Sequence, residues 1–271
     1  SAHISSLEKE LNARLFVRNT KEVKLSDDGK DLYRYARQMI DLQKKIEERF
    51  ETGKEESKHL ITIAASTIPA QYLLPKILMK FNERYPKEQV KLLETDSSQV
   101  VTQIIDHMVD VGFTGTVLEK KHCKYIPFYK DELVVITPNT EKYQKLLEDM
   151  PDDISWIGGE HLIMREEGSG TRKEAGKQLR AAGINLDKLK IIASIENQET
   201  IKKSVRQGMG ISVISRLAAE DEVKYGDILA FPIPKADQGR DINLVYNKNY
   251  QMSKSTERFV KIVKEIYGIE E

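Results

Sequence analysis

Cysteine is almost absent from this sequence, whose 271 residues contain a single one, Cys123. One thiol cannot form an internal disulfide, and it excludes the zinc sites that need several cysteines. Long apolar runs are also missing. None approaches the roughly 18 residues of a membrane span, and no basic start leads into an apolar signal segment. We therefore expect a cytoplasmic protein that has no contact with a membrane.

The sequence also lacks an excess of charge of either sign. Its 43 Lys and Arg residues balance 43 Asp and Glu residues. No global field therefore recruits nucleic acid, and any DNA-binding surface must be local. The chain is long enough to form two or three compact units, each with its own apolar core.

Residue patterns that support catalysis are missing as well. None of the five histidines stands at a spacing that would pair it with a nucleophile or a second metal ligand. They are His3, His59, His107, His122 and His161. Glu166 and Glu167 are adjacent, so their carboxylates diverge and do not flank a substrate. A lone cysteine such as Cys123 is expected to be inert. We predict no enzyme activity, no catalytic residue, no bound metal and no cofactor.

The first residues have the pattern of two helices separated by a small hairpin. Apolar residues recur at helical spacing at Ile4, Leu7, Leu11 and Leu15. Residues 14–18 and 23–25 are short alternating runs, which predict a two-stranded wing. Ser26 is a good N-cap for the helix that follows.

That helix is predicted to be long, from about Asp28 to Phe50. Its apolar residues, at alternating steps of three and four, are Leu32, Tyr35 or Ala36, Met39, Leu42, Ile46 and Phe50. Such a seam favours pairing with a second helix and hence self-association, although packing within its own domain is the alternative. Residues 51–58 are polar or charged apart from one glycine, so they are predicted to be a linker.

From Leu60 onward, strand and helix patterns alternate. The predicted strands are 60–65, 90–94, 110–115, 133–138, 162–164, 190–195, 211–214 and 242–246. Regular alternation implies an α/β fold with mostly parallel sheets and with ligand chemistry at the carboxyl ends of the strands. Its repetition in both halves indicates two similar lobes that face one another.

The turn 168–171, Gly-Ser-Gly-Thr, has the composition of an anion site. Its glycines let the backbone approach a ligand closely, and the helix predicted to open at Thr171 supplies N–H groups and a partial positive charge. Arg165 and Arg172 offer full positive charges. Ser66 and Thr67 precede a second predicted helix start. Convergent donors favour a carboxylate, sulfate or phosphate, and the alternative is that these hydroxyls are only helix caps.

The N-terminal residues resemble the second half of the winged helix-turn-helix of LysR-type transcriptional regulators. The matching segments are residues 1–11, 14–18, 23–26 and Gly29, with Ser26 where the family favours threonine. Segments 165–172 and 208–211 are similar to the family's two-lobed effector domain. The family's first two helices and the start of its recognition helix, roughly thirty residues, have no counterpart. We therefore expect natural sequence to precede Ser1, and we expect this chain alone not to bind DNA.

The resemblance implies an α/β fold in which a two-lobed, periplasmic-binding-protein-like effector domain follows a partial winged helix-turn-helix and a long linker helix. The implied domains are 1–27 for the partial DNA-binding domain, 28–58 for the dimerisation helix and linker, 59–138 for lobe I, 139–241 for lobe II and 242–271 for a return to lobe I. It also implies a homodimer or homotetramer that binds double-stranded operator DNA and a small anionic effector.

Site residues follow from the same resemblance and from the helix-terminus argument. Those expected at DNA, on the recognition helix and the wing, are Ser1, His3, Arg18, Lys21 and Lys24. Those expected at the effector are Ser66, Thr67, Ser97, Ser98, Thr114, Gly115, Arg165, Ser169, Gly170, Thr171 and Asn197.

Two other functions fit a two-lobed fold of this kind. A solute-binding protein is disfavoured because it needs a signal sequence and has no use for a helical, wing-bearing front. An enzyme would need a catalytic constellation in the cleft, and the sequence offers none.

Overall fold

The computed structural model describes residues 2–18, 23–50, 60–149, 153–234 and 239–269, which fall into two compact units. The N-terminal unit contains α1 (Ala2–Glu10), β1 (Phe16–Arg18), β2 (Val23–Leu25) and α2 (Asp27–Phe50). β1 and β2 pair antiparallel, with Val17 opposite Lys24. The Oγ of Ser26 accepts the N–H of Gly29 at 2.9 Å, so this serine caps α2 as the sequence predicts.

α2 exposes a series of large apolar side chains. They are Tyr33, Tyr35, Met39, Ile40, Leu42 and Ile46. Met39 is the most exposed of them, at 72%. Tyr35, Met39, Leu42 and Ile46 follow one another at steps of three and four, so they share one face of α2. Large apolar side chains remain in water at a cost in free energy, so this face favours contact with another apolar surface.

The second unit contains two sheets. Its strands are β3 (Leu60–Ala65), β4 (Gln89–Glu94), β5 (Val111–Thr114), β6 (Cys123–Asp131), β7 (Leu133–Pro138), β8 (His161–Met164), β9 (Lys190–Ser194), β10 (Ile211–Ser215), β11 (Ile228–Pro232) and β12 (Arg240–Asn247). Its α-helices are α3 (Leu74–Arg84), α4 (Ser97–Ile105), α5 (Glu141–Asp149), α6 (Gly170–Ala181), α7 (Gln198–Arg206), α8 (Arg216–Lys224) and α9 (Lys254–Tyr267).

The strand order is β4-β3-β5-β12-β6 in the first sheet and β11-β7-β10-β8-β9 in the second. The first sheet with α3, α4 and α9 is lobe I, and the second sheet with α5 to α8 is lobe II. Pairing is parallel from β4 through β5 and from β9 through β10, whereas β12 and β7 are antiparallel to both of their neighbours. The chain reaches each of these two strands from the other lobe, because β7 follows β6 of lobe I and β12 follows β11 of lobe II. Each therefore begins at the side of its sheet where the neighbouring strands end.

The chain crosses from lobe I to lobe II at Glu132, between β6 and β7. The boundary predicted at residue 138 is therefore wrong for residues 133–138, which pair with β10 and β11 in lobe II. An apolar strand pattern shows that a segment is buried but not which sheet it joins. The sequence patterns also did not predict β6, α8 or β11.

One apolar core continues through both lobes. It includes Phe113 and Phe259 from lobe I together with Ile163 and Ile214 from lobe II. The rings of Phe113 and Phe259 meet edge to face, with centroids 6.2 Å apart. Among the helices described here, none is both long enough and apolar enough to span a membrane.

Candidate ligand-binding cleft

The carboxyl ends of β3 and β8 face each other across a cleft between the two lobes. A cavity of about 20 Å³ lies there, lined by Ser66, Thr67, Ile68, Asp96, Ser97, Arg165, Glu166, Ser169, Gly170, Thr171 and Arg240. One water molecule needs about 10–15 Å³, so with the lobes in this arrangement the cavity has room for little more than one small polar group.

Seven of the eleven residues predicted at the effector line this cavity. They are Ser66, Thr67, Ser97, Arg165, Ser169, Gly170 and Thr171. They come from segments about a hundred residues apart in the chain, which the fold brings to one place. These two strand ends therefore lie at one cavity, and that an effector binds there stays a prediction.

The other four predicted residues are absent from the lining of this cavity, although the structure describes all of them. Ser98 is exposed. Gly115 is covered by the guanidinium of Arg240, whose Cζ would lie 3.1 Å from a Cβ on this glycine. Thr114 is fully buried and donates its hydroxyl to the carbonyl of Thr116 at 2.9 Å. Asn197 accepts the N–H of Thr200 at 2.9 Å and so caps α7. For Asn197 the simpler alternative, a helix cap, is what the structure shows.

The N-terminus of α6 opens onto the cavity. Ser169 is its N-cap, with the Oγ accepting the N–H of Arg172 at 3.3 Å. The N–H groups of Gly170 and Thr171 then have no intrahelical acceptor, as in the first turn of any α-helix. They supply donors and a partial positive charge where Ser169 and Thr171 are 4% and 5% exposed.

The N-terminus of α4 already holds a carboxylate from the chain itself. Oδ1 of Asp96 accepts the N–H groups of Ser98 at 2.7 Å and Gln99 at 3.0 Å. A Cβ on Gly168 would lie 3.1 Å from Cγ of Asp96, so this turn of lobe II approaches α4 closely. The α6 terminus is therefore the one that remains for a ligand anion.

Ser97 is the most informative residue of the cavity. Its side chain is 1% exposed, and its Oγ has no hydrogen-bond partner among the described residues. A buried hydroxyl without a partner costs about 1–3 kcal/mol. Since Ser97 lines the cavity, a ligand with a polar group is the natural partner of this hydroxyl.

The helix predicted to start after Ser66 is present, with helical backbone from Thr67 onward, and the N–H of Ala70 donates to the carbonyl of Ser66 at 3.0 Å. Residues Pro69–Leu73 then form a π-helical turn ahead of α3, a detail that was not predicted. Ser66 also extends the sheet, because its N–H donates to the carbonyl of Phe113 at 2.9 Å. Isolated π-helical turns recur at functional sites. Here the turn follows directly on three residues that line the cavity, Ser66, Thr67 and Ile68.

Arg165 projects from the end of β8 and is 5% exposed. Its Nε and Nη2 donate to Oε2 and Oε1 of Glu166 at 2.8 and 2.9 Å, a two-bond ion pair. Arg165 was predicted to offer its full positive charge to a ligand, and in the structure that charge is paired with Glu166. Arg172, the other predicted cation, does not line the cavity, and its Nη1 donates to the carbonyl of Arg165 at 2.9 Å.

Arg240 is a residue of the cavity that the sequence analysis missed. Its Nε and Nη2 contact Oδ2 of Asp131 at 2.9 and 2.8 Å, and Asp131 also accepts the hydroxyl of Ser215. These groups join the end of β6, the start of β12 and the end of β10. No local signal reveals the pair, because Arg240 and Asp131 are 109 residues apart and β6 itself was missed.

The formal charges that line the cavity cancel. Arg165 and Arg240 are positive, and Asp96 and Glu166 are negative. The pull of the cleft on an anion therefore depends on the α6 terminus and on access to a guanidinium, not on an excess of positive charge.

The residues predicted at DNA are only partly described. His3 is exposed on α1, and Lys24 is exposed on β2. The backbone of Arg18 belongs to β1. Ser1 and Lys21 lie outside the described residues.

Cys123 and the acidic groups offer no second site. No group of three or more metal-binding side chains is present in the part of the chain that the structure describes. Cys123 is buried at the start of β6, where burial, and then the nearby Glu119 carboxylate, raise the pKa of its thiol to about 11. The thiol is therefore protonated at neutral pH and is a poor nucleophile.

Comparison with known proteins identifies the family. The model of the LysR substrate binding domain matches residues 54–267. The HTH-type transcriptional regulator MJ0300 of Methanocaldococcus jannaschii is 30% identical over 270 residues, which cover 98% of this chain and 88% of that protein.

Two solved structures agree with this match at the level of fold. The Synechocystis PCC6803 CcmR regulatory domain in complex with 2-PG has a TM-score of 0.68 at 24% identity, covering 78% of this chain and 98% of that one. A full-length OxyR variant from Pseudomonas aeruginosa has a TM-score of 0.70 at 18% identity, covering 97% of this chain and 84% of that one. With its matching two-sheet domain and its regulator relatives, the chain belongs to the LysR family of transcriptional regulators and carries that family's effector-binding domain.

Proposed function

We propose that the cleft binds a small effector through one oxoanion group. The observation that carries this proposal is the buried, unpartnered Oγ of Ser97 beside the open N-terminus of α6. The hydroxyl and the N–H groups of Gly170 and Thr171 converge on the same cavity, and donors arranged in this way favour an oxoanion. The 2-PG bound by the CcmR domain also carries oxoanion groups.

The effector is expected to act by changing how the two lobes close. The lobes contact each other across the cavity, and a ligand that bridges Ser97 in lobe I and Gly170 in lobe II stabilises the closed arrangement. In an oligomer this change alters the arrangement of the subunits and thereby operator binding. The proposal assigns no catalytic step to the chain, in keeping with its regulator relatives.

The N-terminal unit is proposed to be the second half of a winged helix-turn-helix followed by a linker helix. The support is α1, then the β1–β2 hairpin, then the 24-residue α2. In this arrangement His3 faces base edges and Lys24 of the wing approaches phosphates. The family resemblance assigns Ser1, Arg18 and Lys21 to the same DNA interface. α2 is proposed to pair with α2 of a second copy through its exposed apolar side chains.

The effector proposal is tested by isothermal titration of the protein with sulfate, phosphate, acetate and 2-PG, with glycerol as the neutral control. Binding of at least one oxoanion, with no heat from glycerol, supports it. If none of the four anions binds, the cleft is not an oxoanion site and the proposal fails.

The DNA proposal is tested on a protein whose winged helix-turn-helix is complete, by fluorescence anisotropy with double-stranded DNA over a range of salt concentrations. Replacing Lys24 with alanine is expected to weaken binding and to reduce the slope of log affinity against log salt by about 1. The matched control is Lys30→Ala, which removes the same charge from α2 where Lys30 pairs with Asp27 at 2.7 Å. Equal effects of the two substitutions contradict the placement of the wing at phosphates.

A further inference from the structure

The two arginines of the cavity differ in how firmly their counter-ions are held. Asp131, the partner of Arg240, is 0% exposed and also accepts the hydroxyl of Ser215. Glu166, the partner of Arg165, has a side chain that is 22% exposed and lies in the cavity wall. The carboxylate of Asp131 is therefore held in place beside Arg240, whereas the carboxylate of Glu166, which binds Arg165, has a route to solvent.

The contact between Glu166 and Arg165 has the geometry that an oxoanion ligand would use. Two oxygens of one carboxylate accept from Nε and Nη2 of one guanidinium, at 2.8 and 2.9 Å. A carboxylate, phosphate or sulfate recognises arginine in this two-bond manner. Because both bonds use the same edge of the guanidinium, a ligand anion can occupy it only when Glu166 leaves.

The side chain of Glu166 can leave without rearranging the backbone. The carbonyl of Glu166 accepts the N–H of Ser169 at 3.1 Å, and the carbonyl of Arg165 accepts Nη1 of Arg172 at 2.9 Å. These bonds hold the segment against the first turn of α6 whatever the position of the Glu166 carboxylate. A rotation of one side chain therefore exposes the Arg165 edge beside the α6 terminus.

We propose that Glu166 is a built-in competitor of the effector, and that the effector's oxoanion group displaces it from Arg165. This inference rests on the proposed function of the cleft. Such competition narrows the class of ligand, because the other positive groups of the cleft already have partners. Asp131 binds the guanidinium of Arg240, and Asp96 binds the N-terminus of α4. The cleft then accepts one oxoanion group, and the rest of the ligand is uncharged and meets hydroxyls such as that of Ser97.

The test is titration of sulfate, phosphate, acetate and 2-PG into the wild-type protein, Glu166→Gln and Glu167→Gln. Glu167 is the matched control, because it is the next residue, its side chain is 91% exposed, and it lies 3.8 Å from Arg172. Removing the competing carboxylate is expected to tighten oxoanion binding by about tenfold in Glu166→Gln, the effect of one charge-assisted contact. Binding by Glu167→Gln is expected to stay within about twofold of the wild type.

The outcomes separate the inference from the function on which it rests. If no anion binds any of the three proteins, the oxoanion cleft itself is rejected. If the anions bind all three proteins equally, or bind Glu166→Gln more weakly than the wild type, the cleft stands and the competitor is rejected. Should Glu166→Gln fail to fold, Glu166→Asp is the second variant, since it keeps the charge but shortens the reach. It is expected to bind more tightly than the wild type, and unchanged affinity overturns the inference.

Discussion

A Cβ atom on Gly170 would lie 3.0 Å from the Oγ of Ser97 and 3.3 Å from Cγ2 of Thr116. The first turn of α6 in lobe II thus comes into close contact with the start of α4 in lobe I. This closeness explains why a glycine follows the N-cap Ser169, since any side chain here meets the opposite wall of the cleft. It also places the most buried hydroxyl of the cavity against its main group of N–H donors.

Replacing Gly170 with alanine is expected to hold the cleft slightly open. The neighbouring atoms must move by a few tenths of an ångström, so the affinity for sulfate or 2-PG should fall several-fold while the fold is retained. Gly176→Ala, in the same helix, is the control, because its Cβ would meet Leu186 at 3.4 Å and Arg180 at 4.0 Å, both ordinary contact distances. That change is expected to stabilise the protein by about 0.5–1 kcal/mol. Calorimetric titration and urea unfolding measure both effects, and equal affinities in the two variants contradict the prediction.

Replacing Ser97 with alanine is expected to separate binding from stability. Its Oγ makes no hydrogen bond to the described residues, so removing it should leave the free energy of unfolding unchanged or slightly increased. Anion affinity should fall by about tenfold, the effect of one lost hydrogen bond to a charged ligand. Ser98→Ala, at the next and exposed position, should leave affinity unaltered. A clear loss of stability without a loss of affinity would show that Ser97 is structural.

The pair of Asp131 and Arg240 is expected to be the most sensitive ion pair of the second unit. Asp131→Asn leaves a guanidinium that is 4% exposed without its counter-charge, and should lower the free energy of unfolding by about 3–5 kcal/mol. The control is the adjacent cross-strand pair of Lys130 and Asp241, whose side chains are 56% and 44% exposed. Asp241→Asn should change the free energy of unfolding by no more than about 1 kcal/mol. Urea unfolding of the three proteins decides between them.

Stability at high pH should depend on Cys123. The pKa of its thiol is raised by burial from an ordinary 9.0 to about 11, so the folded protein resists ionisation that the unfolded chain allows. The resulting stability is present in full below pH 9 and is lost as the pH rises towards 11. Cys123→Ala removes this contribution, so the difference in unfolding free energy between the two proteins should shrink over that interval. A constant difference from pH 8 to pH 11 would contradict the assignment.

Self-association should depend on the apolar stripe of α2. Leu42, with 55% exposure, lies in this stripe, and Leu42→Glu places a charge in the proposed contact between helices. Sedimentation velocity is expected to show a shift from oligomer to smaller species. Gln43→Glu adds the same charge one position away, where Gln43 is exposed and bonded to Glu47, and should leave the oligomer intact. A wild-type monomer at micromolar concentration would reject the proposed role of α2.

Several parts of the candidate site were predictable because they depend on local patterns. The Gly-Ser-Gly-Thr turn located a helix start to within one residue, since capping and glycine preferences act over a few positions. The hairpin and the cap at Ser26 followed from patterns of the same range. Most strands beyond Leu60 could be located because runs of β-branched and apolar residues bounded by turn residues are a specific signal of a strand.

The state of the charges in the cleft could not be predicted. Arg165 was expected to offer a full positive charge to a ligand, yet its Nε and Nη2 both donate to the neighbouring Glu166. Adjacent residues in a chain have no fixed relative direction outside regular structure. Whether their side chains meet depends on the turn that carries them and on the wall opposite.

The sequence by itself determined the family, the positions of most helices and strands, and a helix terminus suited to an anion. All of these depend on residues close together in the chain, where hydrogen bonding and apolar periodicity act over short range. Only the tertiary structure decided that β7 joins lobe II, that Arg240 is neutralised by Asp131, and that Gly170 faces Ser97. Those relationships arise when strands pair into sheets and the two lobes pack together. They depend on the summed burial of many residues that are distant in the chain, so no single segment of the sequence predicts them.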